Sequence, residues 1–281
     1  MIRIIHTDTI IETIAQMCIE ANHLLSEDMK QALNEAVEKE TSLLGKKILN
    51  QLQDNLIIAG EEMIPICQDT GMAVFFIEIG QDVHFDGISL QDAINEGVRK
   101  GYKEGYLRKS VVEDPIYRNN TKDNTPAVIH YEIVPGDKVK IIFAPKGFGS
   151  ENMSRVFMLK PADGIEGVKN AILKAVEDAG PNACPPMVIG VGIGGTFEKC
   201  AILAKKALTR PVNEHSQISY VADMEEELLH KINKMGIGPG GLGGNITALA
   251  VHINTYPTHI AGLPVAVNIC CHVNRHCVRE I

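Results

Sequence analysis

The stretch Pro186-Met-Val-Ile-Gly-Val-Gly-Ile-Gly-Gly195 decides the fold class of this chain. Pro186–Ile189 is apolar and predicts a buried strand, and residues 196–208, which follow the glycines, have the spacing of a helix. Two later strands are predicted at Ala248–Tyr256 and Leu263–Ile269. Because predicted strands and helices alternate along the chain, the sequence predicts a mixed α/β fold with a central sheet and flanking helices.

The amino-terminal part of the chain predicts a helical layer in front of this α/β body. Residues 8–58 carry apolar side chains at helical spacing, and Ser26 is placed to cap a helix. No low-complexity linker or fixed-period repeat interrupts the chain. We therefore expect one domain over residues 1–281, with a helical lead-in at 1–60 and an α/β body at 61–281.

Between these regions the sequence predicts a strand, a helix and a hairpin. Met72–Ile79 is a β-rich run bounded by glycines, and the capping pattern at Ser89 begins a helix. Ala127–Val134 and Lys138–Pro145 flank Pro135-Gly136-Asp137, which is typical of a turn between paired strands. The polar loops at the ends of the strands are the places where we expect the function.

The composition excludes several classes of protein. The chain has 281 residues, of which 45% are hydrophobic and 22% charged, and this excludes a disordered or fibrous chain. Its net charge of −8 argues against binding to nucleic acid or to a membrane surface. The first ten residues have no leader pattern, and no run reaches the length of a membrane span. We expect a cytoplasmic protein with reduced cysteines.

Gly190, Gly192 and Gly195 match the glycine pattern of dinucleotide-binding folds, and Glu214 lies 19 residues further on. A ribose-binding acid should end a second strand, whereas polar residues and another helix follow here. Tight backbone packing, or an anion-binding helix start, explains the glycines without a dinucleotide. A dinucleotide-binding oxidoreductase, with a nicotinamide or flavin cofactor, stays as an alternative from a different class.

Three of the seven cysteines lie in loops whose neighbours stiffen or polarise the chain. Cys67 lies in the polar run 67–70, Cys184 is followed by two prolines, and Cys271 follows a predicted strand. Taken alone, each would usually be a buried small side chain. Their separations of 117 and 87 residues differ from the local pairs of zinc ribbons and ferredoxins, so a shared metal centre would need the whole fold.

An iron cubane on three thiolates leaves one iron open, and such an iron acts as a Lewis acid on a hydroxyl or carboxylate. That is hydro-lyase chemistry. The thiols of Cys18, Cys200 and Cys277, on helical or terminal segments, are interpreted as structural. A zinc or thiol scaffold without catalysis is a further alternative.

Several motifs together resemble the α subunit of the iron–sulfur (class I) fumarate hydratases and the related L-tartrate dehydratases, and the resemblance spans the chain from about residue 8 to 276. They are Ile66-Cys-Gln-Asp-Thr-Gly71, Lys146-Gly-Phe-Gly-Ser-Glu-Asn152, Cys184-Pro-Pro186, Gly192-Ile-Gly-Gly-Thr196, Thr258-His-Ile-Ala-Gly-Leu-Pro264 and Cys271-His272. The resemblance implies a [4Fe–4S] cluster on Cys67, Cys184 and Cys271. Cys270 departs from the family pattern, because that position is commonly not a thiol; either neighbour could bind, and the following histidine favours Cys271.

The resemblance also implies roles for residues around the cluster. Asp69 matches a proposed member of the proton-transfer machinery, and His259 matches an active-site histidine. Arg108 matches a clamp for a substrate carboxylate, for which a planar guanidinium is suited. Phe148 replaces a glycine of many relatives, which leaves open which loop amide faces the ligand. The substrate-binding residues implied in this way are Gln68, Thr70, Arg108, Gly147 and Gly149.

The activity implied by the resemblance is the reversible hydration of fumarate to (S)-malate. Dehydration of L-tartrate to oxaloacetate is the alternative within the family. In the family a second domain supplies further substrate-binding groups and a threonine proposed as the base, and this chain ends at Ile281, soon after the third cysteine. We therefore expect a separate β subunit and a dimer of αβ pairs. The alternative is a chain that acts alone on a simpler substrate.

Overall fold

The computed structural model describes residues 2–281. Its helices are α1 (Thr7–His23), α2 (Glu27–Lys39), α3 (Leu43–Glu62), α4 (Leu90–Glu104), α5 (Phe148–Glu151), α6 (Gly164–Ala179), α7 (Phe197–Ala207) and α8 (Ser219–Asn233). Its strands are β1 (Arg3–His6), β2 (Met72–Gly80), β3 (Val83–Asp86), β4 (Val128–Val134), β5 (Val139–Lys146), β6 (Arg155–Leu159), β7 (Met187–Gly194), β8 (Ala248–Tyr256), β9 (Leu263–Cys270) and β10 (Cys277–Glu280). Within this part of the chain, no helix is long and apolar enough to cross a membrane.

Packing contacts divide the chain into two compact units. The first unit contains residues 2–26, 56–148 and 275–281, and the second contains residues 27–55 and 149–274. The helical lead-in is therefore shared between the units instead of forming a layer of its own. The single domain expected from the sequence stays a prediction.

The first unit is built on a four-stranded sheet in the order β10–β5–β2–β4, beside a two-stranded sheet of β1 and β3. β2 pairs in parallel with β4 and antiparallel with β5. The predicted hairpin over 127–145 is therefore wrong, because both strands form but β2 lies between them. β2 is buried along most of its length, so its backbone groups must find partners on both flanking strands.

One helical pair completes the core of the first unit. α4 carries Ile94 and Tyr102, both fully buried, and it packs closely against α1. A Cβ at Gly97 would lie 2.6 Å from Cβ of Ile14, and a Cβ at Gly101 would lie 2.7 Å from the carbonyl oxygen of Ala15. Glycine at these two positions lets the helix backbones approach each other.

The second unit has one four-stranded sheet in the order β6–β9–β7–β8. β8 runs parallel to β7, and β9 runs antiparallel to it, with Cys270 opposite Val188. The start of β7, the start of β8 and the end of β9 therefore lie at one edge of the sheet, which we call the Met187 edge. The opposite ends of these strands form the Gly194 edge.

The glycines of β7 serve packing. A Cβ at Gly190 would lie 2.1 Å from the carbonyl oxygen of Ala204, and one at Gly192 would lie 2.0 Å from that of Cys200. Both oxygens belong to α7, which covers this strand. Glu214 lies in the loop between α7 and α8 and does not end a strand. The glycine pattern is thus explained by helix–strand contact, and the dinucleotide alternative loses its main support.

The mixed α/β class is confirmed, but the single central sheet is not: residues 2–281 form three sheets. The lead-in is helical as predicted, in three helices. Ser26 precedes α2, yet its hydroxyl has no hydrogen-bond partner within the described residues, so the predicted cap is not made. β1, β3, β6 and β10 were not predicted, because four or five residues are too few to show a reliable period.

Candidate active site

The segment Ile64–Gly71, which we call the Cys67 loop, joins α3 to β2 and is fixed by buried side chains of the first unit. The hydroxyl of Tyr102 donates to the carbonyl oxygens of Thr70 and Gly71, at 2.9 and 3.0 Å. Nδ2 of Asn124 donates to the same Gly71 oxygen at 3.2 Å. Tyr102 and Asn124 are fully buried, so these bonds are sheltered from water.

Arg275 holds the loop from another side. Its guanidinium donates to the carbonyl oxygen of Asp69 at 2.8 Å and to Oδ1 of Asn22 at 2.9 Å. The carbonyl oxygen of Asn22 in turn accepts from the backbone N–H of Ile66 at 2.9 Å. Arg275 is buried, and it therefore supports the loop and does not present its charge to solvent.

Both carboxylate oxygens of Asp69 are oriented by backbone amides. Oδ1 accepts from the N–H of Gly71 at 3.0 Å, and Oδ2 accepts from the N–H of Phe148 at 2.9 Å. A Cβ at Gly147 would lie 3.1 Å from Oδ2. The Phe148 amide, one of the three left open by the sequence, is thus engaged by Asp69, and each Asp69 oxygen keeps a lone pair for a further donor.

Arg108 is placed beside the Cys67 loop by Thr70. The hydroxyl of Thr70 accepts from the N–H of Arg108 at 2.9 Å and lies 3.3 Å from its carbonyl oxygen, to which it donates. Arg108 is exposed, and its guanidinium has no protein partner among residues 2–281. Gln68, also exposed, is next to Cys67. The first unit therefore brings together Cys67, Gln68, Asp69, Thr70, Arg108 and Gly147.

In the second unit, Gly180–Pro186 forms a tight bend before β7, which we call the Cys184 turn. Cys184 itself adopts the left-handed conformation, with φ 53° and ψ 64°. Residues with a side chain rarely take this conformation, and when they do they cluster at functional sites. The N–H of Cys184 donates to the carbonyl oxygen of Pro181 at 3.1 Å, which closes the bend.

His272 ties the Cys184 turn to the segment that follows β9. Nδ1 of His272 lies 3.1 Å from the carbonyl oxygen of Cys184, and the backbone N–H of His272 donates to the same oxygen at 3.5 Å. Cys271 is the residue immediately before His272. Two of the three cysteines predicted to bind a cluster are therefore held together at the Met187 edge. Cys270, by contrast, is buried at the end of β9.

Residues 149–152, the part of the Lys146–Asn152 motif that lies in the second unit, are anchored at the same edge. Nδ2 of Asn268 donates to Oε2 of Glu151 at 2.7 Å and to Oγ of Ser154 at 2.8 Å, and Oγ also accepts from the N–H of Ile269 at 3.1 Å. Asn268 is buried near the end of β9. Glu151 is therefore connected to the strand that leads to Cys271.

His259 lies elsewhere. It belongs to the exposed connection between β8 and β9 at the Gly194 edge, where its Nδ1 accepts from the N–H of Ala261 at 3.2 Å. The length of β9, eight residues at about 3.3 Å each, separates it from Cys271 by about 25 Å. It borders an apolar cavity of about 450 Å³ with Ile165, Tyr220 and other residues of the second unit. The chain does not bring His259 to the cysteines of this unit.

The cysteines fall into two groups by environment. Burial raises the pKa of Cys18 and of Cys200, and burial with the nearby Glu20 carboxylate raises the pKa of Cys277 to about 12. These thiols are poor thiolate ligands. Cys184 is exposed and Cys67 is half-buried, and neither thiol has a hydrogen bond in the described residues. No three His, Cys, Asp or Glu side chains of residues 2–281 are grouped closely enough to hold a metal ion.

Comparison with known proteins identifies the family. A sequence profile described as fumarate hydratase (Fumerase) matches residues 11–280. The chain belongs to the fumarate hydratase family. The family is a family of hydro-lyases, and the family resemblance found in the sequence is thereby confirmed.

Two relatives within the family are similar along nearly their whole length. A Methanocaldococcus jannaschii protein, provisionally named L(+)-tartrate dehydratase subunit alpha, is 43% identical over 276 residues, which cover 96% of each chain. The L(+)-tartrate dehydratase subunit alpha of Escherichia coli K12 is 32% identical over 268 residues, which cover 94% of this chain and 88% of the relative.

Sequence reasoning missed the residues that hold the loops of the site. No motif in the sequence marks Tyr102, Asn22, Asn124 or Arg275. Their partners lie between 31 and 253 residues away along the chain, so no local pattern indicates them. His272 carried a signal, because it directly follows Cys271.

Proposed function

We propose that this chain is the α subunit of an iron–sulfur hydro-lyase that reversibly adds water to fumarate to give (S)-malate. The observation that carries the proposal is the pair of contacts from His272 to the carbonyl oxygen of Cys184, which holds Cys184 and Cys271 at one sheet edge. The Cys67 loop supplies the third thiol together with a carboxylate and a free guanidinium.

The donor set fits a cluster. Thiolates are the ligands of iron–sulfur clusters, and the proposed ligands Cys67, Cys184 and Cys271 are the cysteines at loop positions that reach solvent. They would hold a [4Fe–4S] cluster. When bound, such a cluster leaves one iron without a protein ligand, and this iron supplies Lewis-acid chemistry to the substrate. Cys270 is not proposed as a ligand, because it is buried within the sheet.

The other residues of the first unit then bind and protonate the substrate. The guanidinium of Arg108 binds one carboxylate of the dicarboxylate through two parallel hydrogen bonds. Thr70 positions Arg108, and the exposed amide of Gln68 contacts the substrate. Asp69 holds or transfers the proton at its oriented carboxylate. The amides of Gly147 and Gly149 are the remaining candidates for a second carboxylate contact.

His259 needs a different explanation. Within one chain it lies a strand length away from Cys271, so a catalytic role at the same centre requires His259 from a second copy of the chain. This agrees with a dimer of αβ pairs, the assembly expected from the resemblance. The relatives are named alpha subunits, which supports a separate β subunit that completes the substrate pocket. A cytoplasmic location stays a prediction.

L(+)-tartrate is the second candidate substrate. The observation in its favour is that both relatives carry the name of L(+)-tartrate dehydratase. The reaction removes water from tartrate to give oxaloacetate after tautomerisation, and it uses the same Lewis acid and the same carboxylate contacts. The two candidates differ only in whether the pocket holds a second hydroxyl group.

The test uses the full chain, purified and reconstituted without oxygen, with its β partner. We expect about four iron atoms and four sulfides per chain, activity with fumarate or with tartrate, and loss of both cluster and activity in air. Steady-state rates on the two substrates decide between them. Zinc in place of iron and sulfide, or stable activity in air, would contradict the proposal.

A further inference from the structure

Glu40 is a buried carboxylate that the proposed chemistry does not use. It follows α2, in the second unit, and its residue is 1% exposed. No ion pair to Glu40 occurs in the described part of the chain. A buried carboxylate without a basic partner is costly unless hydrogen bonds replace its hydration, so the donors around it need an explanation.

The donors are backbone amides from two segments. Oε1 accepts from the N–H groups of Thr41 and Ser42, both at 2.8 Å. Oε2 accepts from those of Asn245 and Ile246, at 3.1 and 3.0 Å. Burial alone raises the pKa of Glu40, but these four amides outweigh it and lower the pKa below its usual value. The group is therefore an anion at neutral pH.

Residues 236–246, which we call the glycine segment, are shaped around this carboxylate. Gly244 has φ +124°, and a Cβ there would lie 2.7 Å from Oε2 of Glu40. Gly45, on α3, also makes room, since its Cβ would lie 2.9 Å from Cδ of Glu40. A side chain at either position would displace the carboxylate.

The other end of the glycine segment holds the Cys184 turn from both sides of the cysteine. The N–H of Gly240 donates to the carbonyl oxygen of Pro185 at 2.9 Å. A Cβ at Gly241 would lie 2.2 Å from Cβ of Pro181, so the two backbones are in close contact. Pro181 and Pro185 flank Cys184, whose left-handed backbone depends on its surroundings.

We propose that Glu40 is a positioning residue for Cys184, which it acts on through the glycine segment. The charge of Glu40 fixes the amides of Asn245 and Ile246. The glycine segment, which contains them, then fixes the Cys184 turn that presents the thiol. The importance of this role for activity rests on the proposed function, because Cys184 is a cluster ligand only in that function. The mechanical coupling itself does not depend on the cluster.

Thiol alkylation of the full, cluster-free chain tests the coupling. The rates at Cys184 and Cys67 are measured by peptide mass spectrometry with iodoacetamide, and Cys67, in the other unit, is the internal reference. In Glu40→Gln, which replaces an acceptor by a donor, we expect the ratio of the Cys184 rate to the Cys67 rate to change about tenfold. Hydrogen exchange should become faster in residues 180–186 and 236–246 but not in α7.

Glu225→Gln is the matched control. Glu225 is as buried as Glu40, lies in the same unit and also accepts from backbone amides, those of Ser216 and Ile253; unlike Glu40 it pairs with Arg210, and it has no hydrogen bond to the glycine segment within the described residues. Glu225→Gln should lower the stability of the chain without changing the ratio of the two alkylation rates. If Glu40→Gln does not fold, Glu40→Asp, which keeps the charge with a shorter side chain, should give the same pattern at smaller amplitude.

An unchanged ratio in the Glu40 variants, or an equal change in Glu225→Gln, would overturn the proposal. Iron and sulfide content after reconstitution separates it from the proposed function. A wild-type chain that takes up no cluster while Glu40→Gln still changes the ratio contradicts the function but supports the coupling. If the wild-type chain takes up its cluster and Glu40→Gln leaves the ratio unchanged, the result supports the proposed function and contradicts the coupling.

Discussion

The Cys67 loop and the Cys184 turn present their cysteines by different physical means. The Cys67 loop is held by buried side chains that donate to its carbonyl oxygens, mainly Tyr102, Asn124 and Arg275. The Cys184 turn is held by backbone conformation, by prolines and by glycines that allow close approach. The donated hydrogen bonds of the first arrangement are lost by truncating side chains, whereas the close backbone contacts of the second are lost by adding side chains to its glycines.

The largest expected effect comes from the thiols themselves. Cys67→Ser or Cys184→Ser should abolish cluster retention and nearly all hydro-lyase activity, because a hydroxyl is a poor ligand for iron in such clusters. The measurements are iron and sulfide content and the steady-state rate after anaerobic reconstitution.

Cys200→Ser is the control for these variants, since Cys200 is buried and its thiol donates to Phe197. It should keep the cluster. Equal loss of iron in Cys200→Ser would contradict the distinction between the two groups of cysteines.

The next effect sharpens the role of side chains in the first unit. Tyr102→Phe removes the hydroxyl that satisfies two buried carbonyl oxygens, and it should lower the free energy of unfolding by about 2 kcal/mol. Hydrogen exchange should become faster at the Cys67 loop and stay unchanged at the Cys184 turn. Tyr117→Phe is the control, because Tyr117 is exposed. Faster exchange at both places would show that the two regions are not held independently.

The third prediction concerns the backbone of the second unit. Gly241→Ala and Gly243→Ala both place a side chain at positive φ, at +72° and +85°, but only position 241 meets a neighbour, Cβ of Pro181. Gly243→Ala should lower the free energy of unfolding by about 1 kcal/mol, from backbone strain alone. Gly241→Ala should lower it by about 1–3 kcal/mol more, because the added methyl group overpacks against Pro181. Equal losses in chemical denaturation would mean that Gly241 does not support the turn.

The smallest expected effect is a difference between the two units in how their stability depends on pH. Burial, with the nearby Arg210 charge, lowers the pKa of His252 in the second unit to about 3. The unfolded chain takes up this proton at about pH 6.5 and the folded chain does not, so stability is lost as the pH falls below 6.5. Between pH 6.5 and 5.5 the loss is about 1 kcal/mol.

In the first unit the corresponding group is Asp123. Burial alone would raise the pKa of Asp123, but hydrogen bonds from Arg99 and Thr125 lower it to about 2, so its contribution is lost only as the pH falls from about 4 towards 2. After correction for the intrinsic pH dependence of amide exchange, the protection factors in β8 should therefore be lower at pH 5.5 than at pH 6.5, and those in β2 should not change. His252→Gln should remove this difference, and a difference that persists would assign the effect to another group.

The sequence by itself determined the α/β class, most of the long helices and strands, the family and the cysteine, aspartate and arginine motifs. These are local properties: a helix or strand repeats its burial pattern over a few residues, and a motif keeps its residues next to one another in the chain. The tertiary structure decided that β2 lies between β4 and β5, that His259 is at the opposite sheet edge from Cys271, and that Glu40 contacts Ile246, which lies 206 residues away. These contacts join residues that are far apart in the chain, and they form because buried backbone groups need hydrogen-bond partners in the folded protein. That requirement leaves no periodic signal in the sequence.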